Sequence, residues 1–150
     1  MDVLGIFTPA SLRWSGRGKS GLMLATVMVA MTVSASGAES RREAQEVLRL
    51  ALTEPRFVKY LNFDATPVLR VANRTPLDFG KLNFSVQGHQ VEVIPPQAAD
   101  PRAVEITRAE VGPESANLAL RYRQQGIRVQ VTFAKRNAQW SIDQFSLVEN

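Results

Sequence analysis

Three arginines, Arg108, Arg121 and Arg128, with the carboxylates Glu110 and Asp143, are the side chains of this chain best placed to bind something. They sit in stretches where polar and apolar residues alternate, so their positions can be carried across neighbouring antiparallel strands. In the pairing that keeps the apolar sets together, Arg108 falls opposite Arg121 and Arg121 opposite Arg128. Asp143 then lies diagonal to Arg128, and Glu110 diagonal to Arg121. The result is a stripe of three guanidinium groups with a carboxylate at either end. A guanidinium fork holds anionic and carboxylate groups bidentately, so the stripe suits an anionic ligand or protein partner. Exposed salt bridges to Glu110 and Asp143, contributing about 0–1 kcal/mol each, are the plainer account of the same residues. Arg108 shares its parity with Val104 and Ile106, which belong on a dry face, so its membership depends on how that strand is paired.

Other chemistries find less material. The one histidine, His89, falls in a predicted turn beside Gly88, where a solvated imidazole with no paired nucleophile is the ordinary outcome. The chain has no cysteine, which excludes disulfides, thiolate nucleophiles and Cys-ligated zinc. Any zinc site would need scattered carboxylates as its remaining ligands. No phosphate loop, dinucleotide fingerprint or nucleophile elbow occurs, so no cofactor is expected. The whole chain has 18 basic and 14 acidic residues, a net charge of +4. Setting aside residues 1–38 removes Arg13, Arg17, Lys19 and Asp2, which leaves 15 and 13, or +2. That is far from the dense positive field that nucleic-acid binding requires.

The elements that must position the arginines are predicted as follows. Ser40-Arg41-Arg42-Glu43 is a capping box, and Ala44, Val47, Leu48, Ala51 and Leu52 then mark one apolar helix face. Pro55 ends this helix or starts a second short turn, and Phe57–Phe63 continues as a second, shorter helix on the same core, with an exposed docking face as its alternative. A short strand covers Pro67–Asn73. Leu82, Phe84 and Val86 alternate, Gln87-Gly88-His89 turns, and Val91 and Val93 alternate again. Four long strands follow: Ala103–Val111, Asn117–Arg123, Ile127–Lys135 and Gln139–Val148. Tyr122 pairs with Ile127 and Leu120 with Val129; Phe133 pairs with Trp140 and Val131 with Ile142. In the last strand Trp140 and Ile142 have one parity, Phe145 and Leu147 the other. Either a bulge at Asp143-Gln144 restores Phe145 to the core, or both faces of the strand end are covered.

A helix followed by this meander, closing on Trp140, Ile142 and Phe145 as W-x-I-x-x-F, resembles exported members of the nuclear-transport-factor-2-like and cystatin-like folds. The resemblance covers Ser40 to Val148. It implies an N-terminal helix packed on a curved antiparallel sheet. The chain departs from the first pattern in its brief helical part, with short strands where longer helices form a cone. The expected fold class is therefore α+β, one or two helices on a curved antiparallel sheet of about five to seven strands.

The N-terminus carries an address. Arg13, Arg17 and Lys19 precede an apolar run from Gly21 to Val33, and Ser34–Ala38 supplies small residues, with Ser36 and Ala38 at the positions a signal peptidase reads. Residues 1–38 are read as a signal peptide and residues 39–150 as one domain, exported to the periplasm or secreted. The uncharged stretch of about 19 residues also sits at the lower limit for a span, so an uncleaved inner-membrane anchor is the alternative. The functional reading is an exported binding or assembly module, not an enzyme, with Arg108, Arg121, Arg128 and Asp143 as its site and no cofactor. A homodimer is compatible with it. Two alternatives stand: a small nuclear-transport-factor-2-like enzyme with a pocket between helix and sheet, for which Tyr122 has the one obvious hydroxyl, and a membrane-anchored accessory subunit of an envelope complex.

Overall fold

The computed structural model describes residues 22–63 and 67–150, with side-chain burial from Gly37 onward. The positive segment of the expected leader, Arg13, Arg17 and Lys19, lies outside the described residues. Residues Ala35–Asn150 form one compact unit. Helix α1 spans Leu22–Thr53 and so runs through the capping box instead of starting at Ser40. The sequence explains this: no proline precedes Ser40 within the helix, and a single interior glycine, Gly37, costs only about 1 kcal/mol. Among the described residues, no helix is long and apolar enough to cross a membrane.

The apolar face of α1 forms as its spacing predicts. Ala44, Val47, Leu48, Ala51 and Leu52 are all buried and join the sheet residues in one hydrophobic cluster. Burial of each larger side chain stabilises the fold by about 1.5–3 kcal/mol. Glu54 leaves the helix in an extended conformation, and Pro55 opens a single turn, α2 (Pro55–Val58). Phe57 and Leu61 are buried while Val58, Tyr60 and Phe63 pack at the margin, so this stretch is core and not a docking face.

Seven strands follow: β1 (Val68–Asn73), β2 (Ser85–Val86), β3 (His89–Ile94), β4 (Val104–Val111), β5 (Ser115–Tyr122), β6 (Ile127–Arg136) and β7 (Gln139–Glu149). They make one curled sheet in the order β2-β3-β1-β4-β5-β6-β7, with α1 packed on one face. The strands β4 to β7 are the antiparallel meander expected. The sheet as a whole is mixed, because β1 runs parallel to both β3 and β4. Gln87 and Gly88, both at positive φ, make the two-residue turn of the β2–β3 hairpin, which leaves His89 as the first residue of β3. Leu82 and Phe84 lie in the irregular segment before it, where Gly80, at φ 58°, passes so close to α1 that a Cβ would stand 2.8 Å from the Arg41 side chain. Gln45 on α1 donates to the Phe79 carbonyl at 2.6 Å, and Arg41 pairs with Asp78 at 2.5 Å, which pins this segment to the helix.

Two bulges set the registers. On β7, Thr132 faces Gln144 and Phe133 faces Ile142, so Asp143 is the extra residue and Phe145 and Leu147 return to the side of Trp140. The pairs that form are Phe133–Ile142, Val131–Phe145 and Lys135–Trp140, in place of the expected Phe133–Trp140 and Val131–Ile142. The turn consists of Asn137 and Ala138 alone, both at positive φ, which moves the pairing along by two residues, and beyond Phe133 the bulge at Asp143 adds a third. The second bulge is at Thr107 on β4. Tyr122–Ile127 and Leu120–Val129 pair as predicted.

Candidate functional site

The face of β4–β7 turned away from α1 carries the arginines. On β5, Leu118, Leu120 and Tyr122 are buried against the core, which leaves Asn117, Ala119 and Arg121 on the other side. Arg121 stands directly opposite Arg128, both exposed, and Arg128 faces the exposed Val148 on β7. Among the described residues, no carboxylate pairs with either arginine. Cβ atoms of directly opposed residues lie about 5 Å apart, and like charges at that separation are destabilising.

Arg108 reaches the same face, but not opposite Arg121. The apolar parity of β4 switches from Val104 and Ile106 to Ala109 and Val111, and the bulge at Thr107 accommodates the switch. Arg108 then pairs with Ala119 and Glu110 with Asn117, while the residue opposite Arg121 is Glu105. Glu110 is therefore not a neighbour of Arg121; it accepts from Arg108 Nε at 2.9 Å. The expected stripe is instead a triangle around Ala119. A hollow of about 320 Å³ is lined by Thr107, Ala119, Arg121, Arg128 and Gln130. A second, of about 240 Å³, holds Arg108 beside Ala119 and Gln130. The small Ala119 side chain is what leaves room between the guanidinium groups.

Asp143 is not part of this site. The predicted diagonal to Arg128 fails because the turn shift and the bulge carry Asp143 beside Thr132 and Phe133, with Arg136 its nearest cation at 4.0 Å. Its place is taken by Glu105, whose role sequence reasoning missed. Glu105 is 6 % exposed. Its Oε1 accepts from Arg74 Nη2 at 3.0 Å and its Oε2 from Arg123 Nε at 3.0 Å. Burial pushes the carboxyl up, but the hydrogen bonds and charges of Arg123 and Arg74 outweigh it and hold it below its ordinary 4.5. The parity of Glu105 between Val104 and Ile106 was a usable signal for its face. Its two partners lie in the connections after β1 and β5, where alternation says nothing.

The other chemical candidates are placed as follows. The Tyr122 hydroxyl donates to Gln124 Oε1 at 3.1 Å, and burial pushes its pKa up. The space beside it, between Asn62, Arg70 and Arg102, measures about 10 Å³, room for one water and no substrate. The His89 ring stacks on Phe63 with centroids 4.6 Å apart. Among the described residues, no group of three His, Asp or Glu could hold a metal ion. A larger hollow of about 540 Å³ lies beside the Pro95–Arg102 loop, but its charges balance: Arg70 and Arg102 against Glu92 and Asp100, with Arg70 bonded to Asp100 at 3.0 Å. The Asp100 carboxyl is held low by the Arg102 backbone N–H and by Arg70. Only the arginine face offers uncompensated charge beside a hollow among these sites. No family model, curated protein or solved structure matches this chain.

Proposed function

We propose that this chain is an exported, non-enzymatic binding or assembly module that takes an anionic partner on the sheet face turned away from α1, through Arg121, Arg128 and Arg108. One observation carries the reading: Arg121 and Arg128 oppose each other directly, exposed and, among the described residues, in no ion pair, at a register set by the core side of the same strands. The unfavourable pair is offset when an anion lies between the two forks. Export rests on the leader, residues 1–38. Kinship with the nuclear-transport-factor-2-like and cystatin-like folds belongs to the same proposal, supported by α1 on the curled sheet and by Trp140, Ile142 and Phe145 sharing its core side.

The test is the double charge reversal Arg121→Glu with Arg128→Glu. The variant is expected to keep the wild-type thermal midpoint while losing partner capture from a periplasmic and envelope fraction. Capture that is unchanged, in a folded variant, overturns the proposal. The mass of the native N-terminus tests export: Glu39 as the first residue shows cleavage, and Met1 shows a retained segment.

A further inference from the structure

We infer that Glu105 is a positioning residue that joins Arg74 and Arg123 to the Arg121–Arg128 pair, making one four-guanidinium site for a phosphate-type dianion. The inference rests on the reading of the arginine face given above and narrows it to a ligand class and a geometry.

Glu105 is the one carboxylate that two arginines share; every other ion pair among the described residues matches one cation to one acid. Each of its oxygens has its own partner, Arg74 Nη2 or Arg123 Nε, so the buried carboxylate holds two guanidinium groups in place. Arg74 is anchored a second time, to the Pro96 carbonyl. Neither arginine is consumed by these bonds. Arg123 donates to Glu105 through Nε and keeps both Nη groups, and the two side chains remain 40 % and 56 % exposed. Arg121 faces Glu105 across β4–β5, and Arg128 faces Arg121 across β5–β6. Two guanidinium groups thus bind the carboxylate and two more follow it across β5 and β6, so that four cations and one acid leave three uncompensated positive charges, while the nearby Arg108–Glu110 pair is neutral.

The charge and geometry select the ligand class. A carboxylate brings one charge and two oxygens, which a single fork saturates. A phosphate monoester carries about −1.5 to −2 at pH 7 and offers three terminal oxygens, enough for forks from both sides, and inorganic phosphate offers a fourth. Arg121 and Arg128, side by side, present donors to one tetrahedral group, and the clamped Arg74 and Arg123 add field and further donors without having to be ordered on binding. The same chemistry is found in a phosphate-bearing lipid headgroup and in a soluble phosphate compound.

The experiment follows the arginine Nε–H resonances of the full-length protein while inorganic phosphate, phenyl phosphate or acetate is added. Phosphate is expected to shift the signals of Arg121, Arg128 and Arg123 together, with acetate roughly tenfold weaker. The Arg123 Nε–H, bonded to Glu105, is expected to exchange faster with water in Glu105→Gln than in the wild type, and phosphate affinity should fall about tenfold, with Arg121 and Arg128 still responding. Arg123→Ala repeats the affinity test with Glu105 intact, should the first variant fail to fold. Unchanged affinity in the folded variants overturns the role of Glu105 and leaves the arginine face standing. Equal affinity for acetate and phosphate overturns the ligand class. No response of Arg121 and Arg128 to any anion overturns both readings. Cosedimentation with phosphatidylcholine vesicles that contain phosphatidate, but not with vesicles lacking it, supports the headgroup source. A response to phenyl phosphate without cosedimentation supports the soluble one.

Discussion

Leu120 and Arg121 are adjacent, yet they belong to regions built on opposite rules. On the α1 side of β5, every position is filled: Leu118, Leu120 and Tyr122 are buried, and the space beside the one hydroxyl is about 10 Å³, too small for a substrate. On the other side, Ala119 leaves a hollow, and the arginines around it outnumber the acids. The core face spends its residues on packing, which leaves little chemistry there. The outer face tolerates a like-charge pair because water and the stability of the face behind it allow that. The contrast shows why a binding reading attaches to the sheet's outside and not to a cone between helix and sheet.

The largest effect should come from breaking the dry side. Leu120→Ala removes a fully packed side chain and is expected to cost about 2–5 kcal/mol, read as a drop in the urea midpoint, with partner capture retained in the fraction still folded. A neutral result would mean that the two faces are not as different as their burial implies. Next comes acid. The folded-state pKa of Glu105 is depressed below its ordinary 4.5, so its contribution to stability is fully present above that value and is lost as pH falls through the folded value. Asp78 and Asp100 are also held low, and they share in any acid destabilisation. Glu105→Gln isolates the difference: its thermal midpoint should fall less than the wild type's between about pH 5 and pH 3. Parallel curves would show that the shared carboxylate does not stabilise the fold. The smallest effect is expected at Arg128→Ala, which relieves the pair with Arg121 and should raise stability by about 0.2–1 kcal/mol while weakening capture. Lower stability in that variant would point to a favourable contact of Arg128 and weaken the view that the pair awaits an anion.

Much of the frame is legible in the sequence. The helix face from Ala44 to Leu52 and the strands Ala103–Val111 to Gln139–Val148 follow from periods of 3.6 and 2, and of the two outcomes that the parity switch in Gln139–Val148 leaves open, the bulge is the one that forms, with Asp143 as its extra residue. The same kind of switch stands in β4, between Ile106 and Ala109, and it explains how Arg108 reaches the wet face. What failed was alignment between strands. The strand ends at Lys135 and Gln139 imply a three-residue turn, but Asn137 and Ala138 alone make it, and this shift together with the bulge separates Asp143 from Arg128. The helix start at Ser40 failed for a related reason, since a cap acts only where the preceding chain leaves the helix.

The sequence by itself determined which residues are dry and which are wet along each element, because alternation and helical spacing are local properties of the chain. It also determined that Arg121 faces Arg128, since a short connection leaves one register that keeps both apolar sets together. Only the tertiary structure decided that β1 runs parallel between β3 and β4, and that Arg74 and Arg123 converge on Glu105. Crossovers and loop-borne ion partners are settled by contacts distant in sequence, and no periodicity records them.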